Sequence, residues 1–187
     1  MANSFFKTMN DIKDDPMIFL AVKTAISQEK ESGKYLDSTK VVERGDLAYY
    51  FKSNFSKMQI YELALGVLHG VDISIYGYDY FSAKQMREIR TGLELGINVL
   101  TVADVRFNDK QLQEIRFLMM EGVDPKIIAN PRLSSFQMKQ ISQLILAGDI
   151  SSAEAKASEW IKEDFEYEDW AMNMDSFDEY NPPRRKK

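Results

Sequence analysis

The chain has 187 residues and a mass of 21.6 kDa, with 44% hydrophobic and 28% charged residues, which suits one substantial folded core rather than a disordered polymer. It holds no cysteine, so disulfides, thiol nucleophiles, thiolate zinc sites and cysteine-ligated clusters are excluded. The net charge of −5 lies almost wholly at the C-terminal end: residues 1–54 carry eight acids and eight bases, residues 55–150 eleven and ten, and residues 151–187 ten and six. A body this evenly balanced disfavours general, sequence-independent affinity for duplex nucleic acid.

The first apolar run, Met17 to Val22, follows Asp11, Asp14, Asp15 and Pro16. It is too short to span a bilayer and wrongly flanked for a signal peptide, so no membrane association and a cytoplasmic location are expected. Asp15-Pro16 reads as a helix start, with apolar residues continuing through Ile26 and Gly33 as the stop. A second helix is expected within 38–53, where Val41, Val42, Leu47, Tyr50 and Phe51 are available to pack. Residues 1–54 form an N-terminal helical cap on this reading.

From Phe55 the chain repeats. FSKMQIYELALGVLHGVDI, FSAKQMREIRTGLELGINV, FNDKQLQEIRFLMMEGVDP and LSSFQMKQISQLILAGDI begin at Phe55, Phe81, Phe107 and Leu133, a constant step of twenty-six. Ser56, Ser82, Asn108 and Ser134 are N-cap residues, and Gln59, Gln85, Gln111 and Gln137 complete capping boxes three places on. The Phe or Leu before each cap pairs with an Ile, Met or Leu at the fourth helical position as a hydrophobic staple. Apolar residues then recur on one face until Gly70, Gly96, Gly122 or Gly148, each suited to a left-handed stop. Asp72, Asn98 and Asp124 start a second, shorter element, ISIY, VLTV or PKII, expected as a short helix or a 3-10 turn. Helices of about thirteen residues are marginal alone, so each copy is expected to bury its stripe on its neighbours. The fold class predicted is all-α: an α-solenoid-like stack of four units over 55–150.

The fourth copy runs from Asp149 into a new helix, for which Ser151 and Glu154 offer a capping box, over 151–170. From Glu163 to Tyr180 there are eight acids and no base, interleaved with aromatics. Residues 171–187, with Pro182-Pro183 near the end, are expected to be a flexible tail.

Little in the sequence points to catalysis. The single His69 lies near a helix end, in a column shared with Leu95, Glu121 and Ala147, where an exposed imidazole beside the helix dipole is the simpler reading. No nucleophile elbow or phosphate-cradling glycine loop accompanies it. Glu163 and Asp164 form an acid pair that suits either a cation or acid–base work, but an acidic segment of this kind is ordinarily solvated. No catalytic residue, metal or cofactor is expected.

Binding surfaces are better represented. Lys84/Lys110, Arg90/Arg116 and Arg106/Arg132 recur at the repeat step, beside Arg87. Such a ladder suits a phosphate backbone or an acidic partner, while Glu88, Glu94 and Glu114 offer inter-repeat ion pairs to the same cations. Trp160, Glu163, Asp164, Phe165, Glu166, Tyr167, Glu168, Asp169 and Trp170 make the second candidate surface, an acidic aromatic segment for a basic groove or nucleic-acid channel.

The pattern F-x-x-x-Q-M-x-E-I-R-x-G-L-E-x-G-x-D/N-V, seen best from Phe81, resembles a short helical repeat of phage and integrative-element proteins of Firmicutes, over about residues 55–150. Phe117-Leu118 depart from it where Thr91-Gly92 stand in the preceding copy. The resemblance carries over no active residue. It implies a mobile-element protein, such as an anti-CRISPR or anti-restriction inhibitor, that occludes a host nucleic-acid-handling protein. A nucleic-acid-binding regulator using the basic ladder and an oligomerising scaffold are the alternatives.

Overall fold

The structure, a computed structural model, describes residues 13–31, 47–50 and 54–172, without the side chains of 29, 30, 48, 49, 101 and 164–172. The fold is all-α, with no strand among the described residues. In chain order the helices are α1 (Pro16–Glu31), α2 (Leu47–Tyr50), α3 (Lys57–Leu68), α4 (Ala83–Glu94), α5 (Asp109–Met120), α6 (Ser135–Leu146) and α7 (Ile150–Met172). Short 3-10 turns at Ile73–Ile75, Val99–Thr101 and Pro125–Ile127 follow α3, α4 and α5. The chain divides into two compact units, Met1–Arg116 and Phe117–Lys187, with the division inside α5.

Local grammar accounts for the boundaries of the repeated elements. The side chains of Ser56, Ser82 and Ser134 accept from the backbone N–H groups of Gln59, Gln85 and Gln137, whose own side chains accept from the cap N–H. Asn108 does the same with Gln111, at 3.0 and 2.7 Å. The left-handed stop is real at Gly70, Gly96, Gly122 and Gly148, with φ from 70° to 82°. After α3 the Val71 N–H reaches the Gly66 carbonyl at 3.0 Å and the Gly70 N–H reaches Val67 at 3.1 Å, closing the turn on two orphan carbonyls. The carboxylate of Asp72 or Asp124, or the amide oxygen of Asn98, then caps each 3-10 turn.

In the first unit α1 packs on α3, and α3 on α4. Asp15 opens α1, its carboxylate accepting from Met17 and Ile18 N–H at 3.1 and 3.3 Å. Ile18, Val22 and Ala25 of α1 are buried with Leu47, Tyr50, Ile60, Leu63 and Ala64. Val41, Val42 and Phe51, expected in the second helix, lie outside the described residues. The 3-10 turn of the first copy lies close under α3 because position 66 is glycine. A Cβ there would stand 1.9 Å from the Tyr76 hydroxyl, which donates to the Glu62 carbonyl at 3.2 Å.

Glutamine has a second role that the capping pattern does not disclose. The Gln59 amide nitrogen donates to the Asp79 and Phe81 carbonyls at 3.0 and 2.7 Å, and Gln85 repeats this on Val105 and Phe107 at 3.0 and 2.7 Å. Each cap thus also holds the loop that leads into the following copy.

In the second unit α7 packs on α6 and on the Pro125–Ile127 turn, with Leu118, Ile128, Leu133, Met138, Ile141, Ile145, Ala153 and Ala157 buried. The start of α7 corrects the expectation of a Ser151–Glu154 box. Asp149 is the cap, its carboxylate accepting from the Ser152 N–H at 3.1 Å. Its side chain stands directly after the Gly148 stop, so the helix begins two residues sooner than Ser151 allows. The helical backbone continues to Met172, two residues past the expected end. The expected tail beyond it lies outside the described residues.

Candidate functional site

The repeated cations and acids converge in the first unit on a buried ion network. Glu62 of α3 has a side chain only 1% exposed, and its carboxylate accepts from Arg87 Nε at 3.2 Å and from Arg90 Nε and Nη2 at 3.0 and 2.9 Å. Arg90, 9% exposed, also donates through Nη1 to Glu94, whose other partner is His69 Nδ1 at 2.6 Å. One arginine is therefore held between two carboxylates, which is the condition for a charge to be tolerated at this depth. The same spacing recurs one step on, where Arg116 donates to Glu88 at 2.9 and 3.0 Å. Ser142 occupies the arginine column in the fourth copy and is buried, its hydroxyl unpartnered among the described residues.

The electrostatic consequences follow the geometry. Burial alone would raise the Glu94 carboxyl, but hydrogen bonds from His69 and Arg90 outweigh it and hold it below the ordinary range. Burial opposes the charge on Arg90, yet Glu94 and Glu62 hold the guanidinium above its usual value. The Tyr76 phenol is pushed up strongly by burial; Arg90 opposes the shift, and Glu62 and Glu94 add to it.

These placements redistribute the candidate contact residues. Arg90 is buried, its guanidinium held by Glu62 and Glu94 of the chain itself. Arg116 is part-buried on Glu88, and Arg106 closes on Asp104 in its own loop, with Nε 2.9 Å from Oδ2. That hydrogen bond holds the Asp104 carboxyl below the usual range. Lys84, Arg87, Lys110 and Arg132 are exposed, Arg87 pairing with Glu62. Trp160 is part-buried, with Lys156 Nζ 4.9 Å from its ring centroid, and Glu163 is also part-buried. The helical backbone of α7 passes through Asp164, Phe165, Glu166, Tyr167, Glu168, Asp169 and Trp170, whose side chains lie outside the described set.

His69 is exposed as expected, but the dipole reading missed its carboxylate partner in the next copy. Its signal was the Glu94 column, one repeat step less one residue away.

A second feature escaped the motif reading. Tyr78 and Tyr80 stack with centroids 5.1 Å apart and planes 9° apart, and Tyr80 meets the buried Phe81 ring at 4.8 Å. Both tyrosines are exposed, at 42% and 55%. Partial burial raises the Tyr80 phenol, and Tyr78 and Asp79 add to the shift. The signal was available in the loop columns, where Tyr78-Asp79-Tyr80 stands against Asp104-Val105-Arg106 and Asn130-Pro131-Arg132.

Among the described residues no three His, Cys, Asp or Glu gather as a metal site, and no helix is long and apolar enough to cross a membrane. Comparison with protein-family models, curated proteins and solved structures found no match.

Proposed function

We propose that this chain is a non-enzymatic helical-repeat protein that binds another protein, its four copies stacking as a solenoid to present a contact face. The observation that carries the reading is a division of labour in the first unit. Arg90, Arg116 and Arg106 are taken up by carboxylates of the chain itself, while Tyr78, Tyr80, Leu95, Leu100 and Val105 remain exposed within one short span. Large apolar and aromatic side chains left outside a folded repeat suit a protein interface. The same pairing weighs against the alternative of a phosphate-tracking ladder, which needs those arginines available.

The resemblance of the repeat to mobile-element proteins directs the partner class: a host protein that handles nucleic acid, such as a defence nuclease, blocked by occlusion. Affinity capture from the native host, followed by titration of the captured protein in pure form and a nuclease assay, tests this. Saturable binding with loss of nuclease activity is the expected result. Uptake of DNA or RNA by the pure chain in place of any pure protein would overturn it.

A further inference from the structure

The loop between the first and second copies abandons a rule that the other two loops keep. Asp104 accepts the Arg106 N–H at 2.9 Å and Asn130 accepts the Arg132 N–H at 3.0 Å, each a side-chain turn that organises the loop locally. Tyr78 stands in that column and brings no carboxylate or amide oxygen to make the same side-chain bond, although its carbonyl still accepts the Phe81 N–H at 3.1 Å as the Asp104 and Asn130 carbonyls accept theirs. Its ring lies on the Tyr80 ring instead. The backbone turn is kept, but its side-chain hydrogen bond is replaced by two exposed stacked rings, and such a local departure in an otherwise consistent array marks a candidate functional position.

The pair is built to hold its place. Phe81 is buried and touches Tyr80 at 4.8 Å and Tyr78 at 6.4 Å, and the Gln59 amide grips the carbonyls of Asp79 and Phe81 on either side of Tyr80. Stacking uses one face of each ring; partial exposure leaves aromatic surface for a partner. Between the two in sequence stands Asp79, exposed and in no ion pair among the described residues.

Resting on the protein-binding reading, we propose that Tyr78, Asp79 and Tyr80 form a docking site for an arginine of a basic segment on the partner protein. A planar guanidinium stacks on an aromatic face and bonds a carboxylate at the same time, which an ammonium does less well. A nucleobase would also stack on these rings, but its phosphates would meet Asp79 rather than a cation. Charge therefore selects the basic peptide over the oligonucleotide.

The test is a titration of the full chain, carrying 13C-labelled tyrosine, with hexa-arginine, hexalysine and oligo-thymidine as probes, read by NMR at Tyr78 and Tyr80. The two signals are assigned through Tyr78→Phe and Tyr80→Phe. Hexa-arginine is expected to shift both, more tightly than hexalysine. The decisive variant, Tyr78→Asp/Tyr80→Arg, gives this loop the chemistry of its neighbour, so the fold is kept and an unchanged melting temperature verifies it. In that variant hexa-arginine affinity, followed by calorimetry, is expected to fall about tenfold, and Asp79→Asn alone roughly threefold. Tyr78→Phe/Tyr80→Phe keeps the faces and is expected to keep the binding. Unmoved tyrosine signals, affinity unchanged by the loop exchange, or preference for oligo-thymidine at these rings would each overturn the proposal. If the loop-exchange variant still blocks a captured nuclease, the site falls while the protein-binding reading stands; if no pure protein is bound, that reading falls by itself.

Discussion

Replacing Glu62 by glutamine removes a charge and keeps the shape, and the structure sets the size of the effect. Arg87 is 53% exposed, so losing its charged partner costs only about 0–0.5 kcal/mol. Arg90 is different, since its side chain is 9% exposed and cannot turn to water. Breaking a buried pair costs about 3–5 kcal/mol when the remaining charge is left alone. Glu94, at 23% exposure, still pairs with Arg90 and reduces the expected loss to about 2–3 kcal/mol. For a chain of this length that is a fall of about 4–12 °C in melting temperature. Urea denaturation followed by circular dichroism measures it. The double replacement Glu62→Leu/Arg90→Met removes both charges and is expected to lose less than the sum of its single replacements. If Glu62→Gln lies within about 0.5 kcal/mol of the parent, the size of an ordinary surface substitution, then Arg90 does not depend on Glu62 and the buried network is not what fixes these two copies together.

Three further outcomes follow from individual contacts. Gly66→Ala drives a Cβ into the Tyr76 hydroxyl and, at 2.7 Å, the Ile73 side chain, so a net loss of about 1–2 kcal/mol remains after the gain in helix propensity, partly recovered by Tyr76→Phe in the same thermal melt. Gln85→Ala removes the cap bond and both bonds to the Val105 and Phe107 carbonyls, with an expected loss of about 2–3 kcal/mol by urea denaturation and faster amide exchange in the 105–108 loop. Because the folded Glu94 carboxyl lies below its unfolded value, its stabilisation is complete above about pH 4.3 and fades as pH falls through the lower folded value; Glu94→Gln is expected to flatten the acid limb of the stability profile, and an unchanged limb would remove that carboxyl from the account.

The helices were legible because their signals are local. A cap such as Ser82, its Gln85 partner and the Gly96 stop lie within fifteen residues of one another, and the backbone consequences of each are nearly independent of what packs around them. The 3-10 turns were legible for the same reason, through Asp72 and its counterparts. What the sequence left open is carried by contacts across a whole repeat. Arg90 suited an ion pair with Glu94 or a neighbouring copy as well as a surface role, but the partner that buries it, Glu62, lies 28 residues away. The α7 start was misplaced because Asp149 and Ser151 are both competent caps, and the glycine stop just before Asp149 decided between them. The second role of Gln59 was invisible because its amide nitrogen is idle in the capping box until the next loop brings two carbonyls to it.

The identities shared by the copies and the differences among them carry separate information. Columns at the caps, the staple and the glycine stop are nearly invariant because each unit needs the same helix. The first copy departs where the helix makes no demand: Glu62 takes two arginines where Glu88 pairs with one, His69 reaches a carboxylate, and Tyr78 and Tyr80 stand where Asp104 and Asn130 make a side-chain bond to the loop backbone. The first two departures tighten the junction between the first and second copies, where a buried charge cluster resists relative movement of α3 and α4. The third places aromatic surface on the loop that this junction holds. Rigid support of an exposed aromatic pair lowers the ordering cost of binding, so the Gln59 bonds to the Asp79 and Phe81 carbonyls favour the docking proposed at Tyr78 and Tyr80.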